Sequence, residues 1–456
     1  MKTETIRSGL LSVNELIKQI DAGLVDGMLL VTPDNAGRCL SERVAAAGFV
    51  ENLGRTDAYK IPLMLWGVDI EQDVRPGLDH IGGMGAGVPD VFLVPDLTTI
   101  RRVPWMPGLP VVICDPVDEN GVPIPFAPRQ ILKDQLVRLD ALGVTLQAAT
   151  EVEFHLFDES YETAWHDGYR TLTPSSRYHA AYDALACLRS EGFIEQVIRQ
   201  MDQAGVEIEA YAGEYGLGQH EINLKHTTCL EMADRHFLYK FGVKTIAARM
   251  GKSATFMAKW NIDADGSSCH VHVSLWDRET STPLGADPRF DGFVAGLAAR
   301  AEAATLMYAP MVNSYRRFQP HSFAPTVIAV GDNNRTCSLR VVGSGDTRRI
   351  ENRIPGADVN PYVALGAIAL SGADGIEAGM PMPTIECGDM YTREDVPLIP
   401  GSLHDALDLF EQSEEMRAAL GPATHTHLLA MGREEEKAFL METVTDWEKR
   451  RLFERA

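Results

Sequence analysis

The sequence predicts an α+β fold in two domains, a smaller one over residues 1–120 and a larger one over residues 121–456. Three observations lead to this division. The first part is rich in apolar runs that are typical of strands. The segment DPVDENGVPIPFAPRQ is dense in Pro, Asp and Gly, as domain boundaries often are. After it, strand-like and helix-like patterns alternate. We therefore place the domain boundary near residue 120.

The first domain is predicted to begin with a short amphipathic helix over residues 12–23. Ser12 followed three residues later by Glu15 forms the signature of a capping box, which marks a helix start. Strands are then predicted from the runs GMLLVTP, IPLMLWGVDI, DVFLVPDL and LPVVICDP. The glycine-rich segment GLDHIGGMGAGVPD, which precedes the last two runs, is predicted to be a loop.

The second domain is predicted to begin with the helix RQILKDQLVRLDALG, which Gly143 closes. The elements expected after it, in order, are a strand TLQAATEVEFHLF, a helix RSEGFIEQVIRQMDQAG, a hairpin VEIEAYAGEYGLGQHEINL, a helix MADRHFLYKFGVKTIAARMG, and strands SATFMAKW and SSCHVHVSLW. The final third is expected to be mainly helical and to end in the charged helix VTDWEKRRLFERA.

Composition narrows the class of protein. The chain has 456 residues, 45% of them hydrophobic, which is ordinary for a globular protein. Its formal net charge of -22 argues against nucleic acid and against anionic membranes as partners, because both require a basic surface. The seven cysteines are scattered, without a C-x-x-C pair, and the N-terminus has no apolar signal core. We therefore expect a cytoplasmic protein.

Polar residues spaced two apart occur in several strand-like stretches, and such pairs point to the same face of a strand. The pairs are Glu151 with Glu153, His270 with His272, and Glu351 with Arg353, while Glu214 and Glu221 flank the turn YGLGQH. A single E-x-E is usually a solvated strand face. Here the neighbouring residues are apolar, and burying several carboxylates without cations would be very unfavourable. Five glutamates and one histidine suit two hard divalent ions, such as Mg²⁺ or Mn²⁺.

Arginines are dense further along the chain, and arginine is suited to bidentate contact with carboxylate and phosphate oxygens. They are Arg317, Arg335, Arg340, Arg348, Arg349 and Arg353. Metal ligands and arginines in one site indicate phosphoryl transfer.

The chain resembles bacterial class I glutamine synthetases over nearly its whole length. The matching stretches are ATEVEFHLF, GEYGLGQHEIN, TFMAK, DGSSCHVHVSL, NSYRRFQP, NNRTCSLR, RRIENRIPGADVNPY and VTDWEKRR. The resemblance implies an N-terminal β-grasp domain, a larger α/β catalytic domain, and a dodecamer of two stacked hexameric rings. It also implies that each active site is a funnel between adjacent subunits, which binds ATP as co-substrate and two or more Mg²⁺ or Mn²⁺ ions.

The resemblance also implies roles for individual residues. One metal ion would be held by Glu153, Glu214 and Glu221, and a second by Glu151, His270 and Glu351. The implied nucleotide contacts are Glu209, His272, Ser274, Arg340 and Arg349. The implied glutamate contacts are Gly266, Arg317, Arg353 and Asp265, the last standing where the family usually has Asn. Arg335 matches the arginine that stabilises the transferred phosphoryl group.

The chain departs from the family pattern at the amine end of the site. The flap after NSYRR reads FQPHSFAP, and Phe323 stands where ammonium-using members have a glutamate that helps to hold NH₄⁺. The loop that carries a second ammonium carboxylate in the family has a different sequence here, WGVDIEQDV. Asp69 is the nearest candidate for that catalytic carboxylate, with Glu71 next.

We therefore expect an ATP-dependent ligase that joins the γ-carboxyl of L-glutamate to an organic primary amine through γ-glutamyl phosphate. The flap resembles that of γ-glutamylpolyamine, γ-glutamylethanolamide and γ-glutamyl-alkylamide or -anilide synthetases, and a compact monoamine is the preferred hypothesis. Three alternatives stay open: a glutamine synthetase that uses ammonium, a polyamine ligase served by the acidic loop from Asp69 to Asp73, and an inactive regulatory paralogue.

Overall fold

The computed structural model describes residues 9–75, 81, 87–179 and 181–456. Most of the predicted glycine-rich loop GLDHIGGMGAGVPD lies outside these residues. The described strands form two sheets, one of five strands and one of ten.

The N-terminal part contains the five-stranded sheet. Its helices are α1 (Val13–Asp21) and α2 (Ala46–Glu51), and its strands are β1 (Gly27–Pro33), β2 (Cys39–Ala45), β3 (Lys60–Pro62), β4 (Asp90–Pro95) and β5 (Val111–Val117). The strand order is β2-β1-β5-β4-β3, with the central pair β1 and β5 parallel. The predicted capping box of Ser12 and Glu15 is confirmed at the start of α1. The α+β fold with an N-terminal β-grasp domain is also confirmed.

Two strand predictions in this part need correction. Only the beginning of IPLMLWGVDI is a strand, because the chain turns into a 3₁₀ helix over Leu63–Trp66. The turn places the Trp66 indole in the core, where its Nε1 donates a hydrogen bond to the Pro33 carbonyl at 3.1 Å. Strand β2 was not predicted, because its sequence CLSERVA belongs to a largely exposed edge strand and lacks a clear apolar alternation.

Strand β1 connects the two parts of the molecule, because both of its faces are buried. Met28 and Leu30 pack into the apolar core of the N-terminal sheet, whereas Leu29 and Val31 pack into the core of the larger part. This alternation follows from the two-residue period of a strand. It explains why GMLLVTP is continuously apolar.

The larger part contains most of the helices and the ten-stranded sheet. Its helices are α3 (Pro128–Ala141), α4 (Tyr161–His166), α5 (Ala184–Cys187), α6 (Glu191–Gln203), α7 (Cys229–Arg249), α8 (Pro288–Tyr308), α9 (Pro361–Glu377), α10 (Leu403–Gln412), α11 (Glu414–Leu420), α12 (Pro422–Glu442) and α13 (Asp446–Leu452). Its strands are β6 (Val144–Phe157), β7 (Ile208–Gly213), β8 (Gln219–Leu224), β9 (Thr227–Thr228), β10 (Ser253–Thr255), β11 (Cys269–Asp277), β12 (Val330–Asp332), β13 (Leu339–Val342), β14 (Arg349–Asn352) and β15 (Ile385–Glu386).

Most of the predicted elements of this part are confirmed. Helix α3 ends before Gly143, whose φ of 72° is the left-handed conformation expected after a helix. The predicted hairpin is the antiparallel pair β7 and β8. Two expectations were too broad: only Ser253–Thr255 of SATFMAKW is a strand, and the final third also contains the short strands β12 to β15.

The main path of the larger sheet is β15-β12-β13-β14-β11-β6-β8-β7. In the first half of β6, buried Leu146 and Ala148 alternate with half-buried Gln147 and Ala149. The sheet therefore has an apolar face packed on the core and a polar face that can hold a site. Among the residues described, no helix combines the length and apolar character that crossing a membrane requires.

Candidate active site

Three neighbouring antiparallel strands, β8, β6 and β11, position the predicted metal ligands. Strand β6 carries Glu151 and Glu153, which lie opposite His270 on β11 and Glu221 on β8, respectively. The pairing fixes these side chains beside one another, because a slip of one residue would turn them to the apolar face. Glu214 was expected on a strand, but it is the first residue after β7.

Four of the six predicted ligands, together with His272, form two overlapping groups among the described residues, and Glu153 and Glu214 belong to neither. The potential ligand atoms of Glu151, Glu221 and His270 lie within 4.8 Å of one another, and so do those of Glu151, His272 and Glu351. The His270 Nδ1 lies 3.5 Å from Glu151 Oε2, and the His272 Nε2 lies 3.0 Å from Glu151 Oε1. His272, predicted as a nucleotide contact, therefore stands beside the metal ligands.

Carboxylates are crowded at this site in the absence of a cation. Burial, reinforced by Glu214, raises the pKa of Glu153 to about 7. Burial and repulsion from Glu153 and Glu151 raise the pKa of Glu221 to about 9. A divalent cation would relieve this repulsion, and the oxygen-rich donor set with imidazole is one that Mg²⁺ and Mn²⁺ accept. The residues present therefore fit the metal ions of the family.

Glu351 is held in its ionised form by its neighbours. Burial opposes the charge, but His270 and Arg353 outweigh it and lower the pKa of Glu351. Arg340 donates from Nη1 to Glu351 Oε2 at 2.8 Å, and Arg353 Nη1 donates to Oε1. The predicted nucleotide contact Arg340 and the predicted glutamate contact Arg353 thus meet at one metal-ligand carboxylate.

Two residues that the sequence analysis did not single out orient Glu153. The backbone N–H of Ser268 donates to Glu153 Oε2 at 2.7 Å, and its hydroxyl donates to Oε1 at 2.6 Å. The Gln219 amide donates both to Glu153 Oε2 and to the carbonyl of Gly266, each at 2.9 Å. Gln219 therefore connects a predicted metal ligand to the predicted glutamate site. Gln219 lies in the stretch GLGQHEIN and Ser268 in DGSSCHVHV, and their presence in these matching stretches could have indicated a role at the site.

The predicted glutamate contacts Gly266 and Arg317 are in close contact. Arg317 is 3% exposed, and its guanidinium donates to the carbonyls of Arg353 and Ile354. A Cβ at Gly266 would lie 2.6 Å from the Arg317 Cγ, so only glycine leaves this arginine in place. Asp265 precedes Gly266 and lies close to Gly216, where an added Cβ would be 3.2 Å from the Asp265 Cβ.

A cavity of about 550 Å³ lies beside the metal ligands on the polar face of the sheet. Of the predicted nucleotide contacts, it is lined by Glu209, His272, Ser274 and Arg349. Gln147 and Trp276, neither of them predicted, also line it. One end of this cavity is thus bordered by Glu151 and His272, which suits a ligand that presents phosphates to a metal.

Arg335 is exposed, and its charge acts on Glu214, a predicted metal ligand. Burial raises the pKa of Glu214, and the positive charge of Arg335 opposes that rise. An exposed guanidinium near a metal-ligand carboxylate is free to contact a phosphoryl group at this position.

Phe323 lies on the predicted flap, next to a predicted glutamate contact. Its side chain is 66% exposed, its φ of 57° is unusual for a residue other than glycine, and its carbonyl accepts a hydrogen bond from Arg353 Nη2 at 3.2 Å. The backbone of Phe323 thus lies beside Arg353, and its side chain is largely exposed. That it lines an amine pocket stays a prediction.

Asp69 and Glu71 lie in a separate loop with Asp73, where their carboxylates come within 4.8 Å of one another. Asp69 accepts hydrogen bonds from the backbone N–H groups of Glu71 and Asp73 and from Arg75 Nε at 2.6 Å. Burial opposes the charge, but these donors lower the pKa of Asp69. Within the described part of the chain, neither Asp69 nor Glu71 makes a hydrogen bond or an ion pair with the Glu151 group.

Comparison with known proteins supports the resemblance to glutamine synthetases. The sequence profile described as "Glutamine synthetase, catalytic domain" matches residues 125–452. The chain is 40% identical over 449 residues to the gamma-glutamylethanolamide synthetase GlnA4 of Streptomyces coelicolor, covering 98% of this chain and 96% of that protein. It is 35% identical over 426 residues to the glutamate–isopropylamine ligase of a Pseudomonas species, covering 91% of this chain and 92% of that protein.

A solved structure described as a complex of GmaS with ADP has the same fold. It matches with a TM-score of 0.83 and 26% identity, over 96% of this chain and 99% of that one. The chain therefore belongs to the glutamine synthetase family and is one of its ligases.

Proposed function

We propose that this glutamine synthetase-family ligase uses ATP to join the γ-carboxyl of L-glutamate to a small organic primary amine. Two features together carry the proposal: the grouping of the metal-ligand side chains beside a cavity, and a phenylalanine where ammonium-using members of the family have a glutamate. The strand pairing groups metal-ligand side chains beside a cavity of about 550 Å³ that can take a nucleotide, as ligation through γ-glutamyl phosphate requires. On the flap, Phe323 stands in place of the ammonium-binding glutamate.

The names of the relatives support an organic amine. One relative is named for a γ-glutamylethanolamide product and the other for the ligation of glutamate with isopropylamine, and both cover more than nine-tenths of this chain. Each of those amines carries a short carbon group on nitrogen. We propose the same class, a compact alkyl or hydroxyalkyl monoamine, for this chain.

The glutamate contacts would orient the substrate carboxylates. Arg317 and Arg353 are buried guanidiniums at the bottom of the site, and buried charge-assisted hydrogen bonds to carboxylates are strong and directional. Gly266 leaves room for them, and its carbonyl is fixed by Gln219. These residues bind glutamate with its γ-carboxyl toward the metal-ligand side chains.

The acidic residues and Arg335 would then serve phosphoryl transfer. Glu151, Glu153, Glu214, Glu221, His270 and Glu351 would hold two Mg²⁺ or Mn²⁺ ions. Bound ions of this kind neutralise phosphate charge and polarise the transferred group. Arg335 adds a guanidinium on the exposed side, where negative charge develops as the γ-carboxylate oxygen takes the phosphoryl group from ATP. The resulting γ-glutamyl phosphate has a good leaving group, and the amine nitrogen replaces phosphate at the carbonyl carbon.

The amine end would be completed by an adjacent subunit. Asp69 and Glu71 make no hydrogen bond or ion pair with the Glu151 group within the described residues, so we propose that they serve the neighbouring site in a ring assembly of twelve subunits. Because its hydrogen bonds lower the pKa of Asp69, its carboxylate is a weak base, and its role would be to attract the protonated amine.

A polyamine is the second candidate, and one observation favours it. The cluster of Asp69, Glu71 and Asp73 would attract the additional cations of a long polyamine. Phe323 favours the monoamine, because an alkyl group buried against an aromatic ring gains about 0.8 kcal/mol per CH₂.

The test is phosphate release from ATP with L-glutamate, Mg²⁺ or Mn²⁺, and a panel of amines, with mass spectrometry of the product. The proposal predicts glutamate-dependent phosphate release with a short monoamine and a product mass equal to glutamate plus amine minus water. Omission of glutamate or of the amine is the control. Phosphate release with ammonium but with no monoamine of the panel, or with spermine but with no monoamine, would contradict the monoamine assignment.

A further inference from the structure

The flap FQPHSFAP, over residues 318–325, contains two residues in an unfavourable backbone conformation. His321 has a φ of 61° and Phe323 a φ of 57°, which is the left-handed region that residues other than glycine rarely adopt. Such conformations persist only where the surrounding structure stabilises them. The contacts made to this flap from other parts of the chain therefore decide where the Phe323 side chain lies.

Two side chains from outside the flap bind successive carbonyl groups of it. Arg353 Nη2 donates to the Phe323 carbonyl at 3.2 Å, and the Tyr391 hydroxyl donates to the Ala324 carbonyl at 3.0 Å. The Tyr391 ring also packs against the His321 ring, with the ring centroids 5.2 Å apart. Tyr391 thus contacts the flap both before and after Phe323.

Tyr391 belongs to a segment that is well anchored. It lies in the 3₁₀ helix Met390–Thr392, and the side chain of Met390 is buried against Val327. Just beyond the flap, the N–H of Ile328 donates to the Pro397 carbonyl at 2.8 Å. Burial raises the pKa of the Tyr391 phenol, so the hydroxyl keeps the proton that it donates to the flap.

The same segment is attached to the loop that carries Arg335. Asn334, which precedes Arg335, donates from Nδ2 to the Gly388 carbonyl at 2.8 Å. Thr336, which follows it, accepts a hydrogen bond at Oγ1 from the N–H of Met390 at 3.1 Å. Residues 388–391 therefore connect the flap to the loop of the predicted phosphoryl contact, and they give Tyr391 a fixed position from which to bind the flap.

We infer that Tyr391 positions the flap so that the ring of Phe323 faces the amine substrate. Without the hydroxyl, the Ala324 carbonyl loses its partner, and the left-handed conformation at Phe323 loses one of the contacts that stabilise it. The ring then spends less time where it can pack against the carbon group of an amine. Tyr391 is a positioning residue, because it acts on the amine through Phe323.

This inference rests on the proposed selection of an organic amine, so one measurement of its test uses no substrate. Limited chymotrypsin digestion of the substrate-free, full-length protein reports opening of the flap through the rate of cleavage after Phe323. The second measurement is the ratio of kcat/KM for ethanolamine or isopropylamine, whichever the wild type uses better, to kcat/KM for ammonium. The variant is Tyr391→Phe, which removes only the hydroxyl. Tyr169→Phe, in a tyrosine that is 60% exposed after α4, is the matched control.

Tyr391→Phe should be cleaved after Phe323 about 2- to 12-fold faster than the wild type, because loss of one hydrogen bond shifts the opening equilibrium by that factor. Its ratio of monoamine to ammonium should fall by a similar factor, whereas its KM for glutamate and its affinity for ADP should equal those of the wild type. Tyr169→Phe should match the wild type in both measurements.

A double variant distinguishes positioning of the ring from a general loss of structure. Phe323→Ala removes the ring, so adding Tyr391→Phe to it should lower the monoamine-to-ammonium ratio no further. Two substitutions that act independently would instead lower the ratio by the product of their separate factors.

The inference is overturned if Tyr391→Phe is cleaved at the wild-type rate, if it keeps the wild-type ratio of monoamine to ammonium, or if the two substitutions act independently. A wild type that releases phosphate with ammonium and with neither monoamine would overturn the proposed function and, with it, the role of Tyr391 in amine selection. In that case faster cleavage of Tyr391→Phe would still show that Tyr391 stabilises the flap.

Discussion

The two ends of the site are built differently. At the phosphate end, adjacent strands carry the functional side chains, and the pairing of β6 with β8 and β11 fixes their spacing. At the amine end, Phe323 lies on a flap and Asp69 on a separate loop, and the two share no hydrogen bond within the described residues. Under the proposed function, the difference implies that phosphoryl transfer depends on the sheet, whereas the choice of amine depends on loops whose sequence can change without disturbing the sheet.

The largest effect is expected at the phosphate end. Glu153→Ala should lower phosphate release by about 10³-fold or more, because it removes a carboxylate that would hold a metal ion, and that ion would neutralise the charge of the transferred phosphoryl group. Glu195→Ala, in an exposed residue of α6, should behave as the wild type does. Wild-type-like turnover of Glu153→Ala in saturating Mg²⁺ would contradict this contrast, because it would show that phosphoryl transfer does not depend on this strand residue.

A smaller effect is expected where the sheet meets the glutamate contacts. A side chain at Gly266 would displace Arg317, so Gly266→Ala should lower kcat/KM for glutamate by about 10- to 100-fold. ADP binding should be unchanged, because the nucleotide cavity does not include this residue. Gly192→Ala, where an added Cβ would meet open space, is the control. A KM for glutamate equal to that of the wild type would show that Arg317 does not bind the substrate.

A further, smaller effect is expected from Gln219, which acts through the predicted metal-binding side chain of Glu153. Gln219→Leu removes the amide that orients Glu153, and loss of such a supporting hydrogen bond costs about 10-fold in metal affinity. Mn²⁺ titration calorimetry on the nucleotide-free protein measures this directly. Recovery of activity at high Mn²⁺ would distinguish a positioning role from a catalytic one, and an unchanged Mn²⁺ affinity would contradict it.

The same contrast explains what the sequence could predict. The pairs Glu151 with Glu153 and His270 with His272 were readable because a strand places alternate residues on one face. Gln147 and Trp276 were not predicted because a glutamine and a tryptophan on a strand are ordinary residues until the pairing of β6 with β11 places both beside one cavity. Their signal was present, since Trp276 continues the alternation from His270 through Ser274.

Loops were harder to predict for a physical reason. Asp69 lies in a loop that lacks the family's motif, and its three hydrogen bonds depend on a turn that no local pattern specifies. Strand β3 was overextended because burial of Trp66, a tertiary contact, overrode an apolar run. Where side chains act between subunits, a single chain cannot bring them together.

The central claim is that the loop-built end selects an organic amine over ammonium, and Phe323 is its most direct test. The measurement is kcat/KM for ammonium, ethanolamine, isopropylamine, aniline, putrescine and spermine, with Phe323→Glu beside the wild type. We predict that the wild type prefers a compact monoamine and that Phe323→Glu shifts preference towards ammonium, because the new carboxylate offsets the cost of desolvating NH₄⁺. A wild type that prefers ammonium, or a ranking that Phe323→Glu leaves unchanged, would contradict the account.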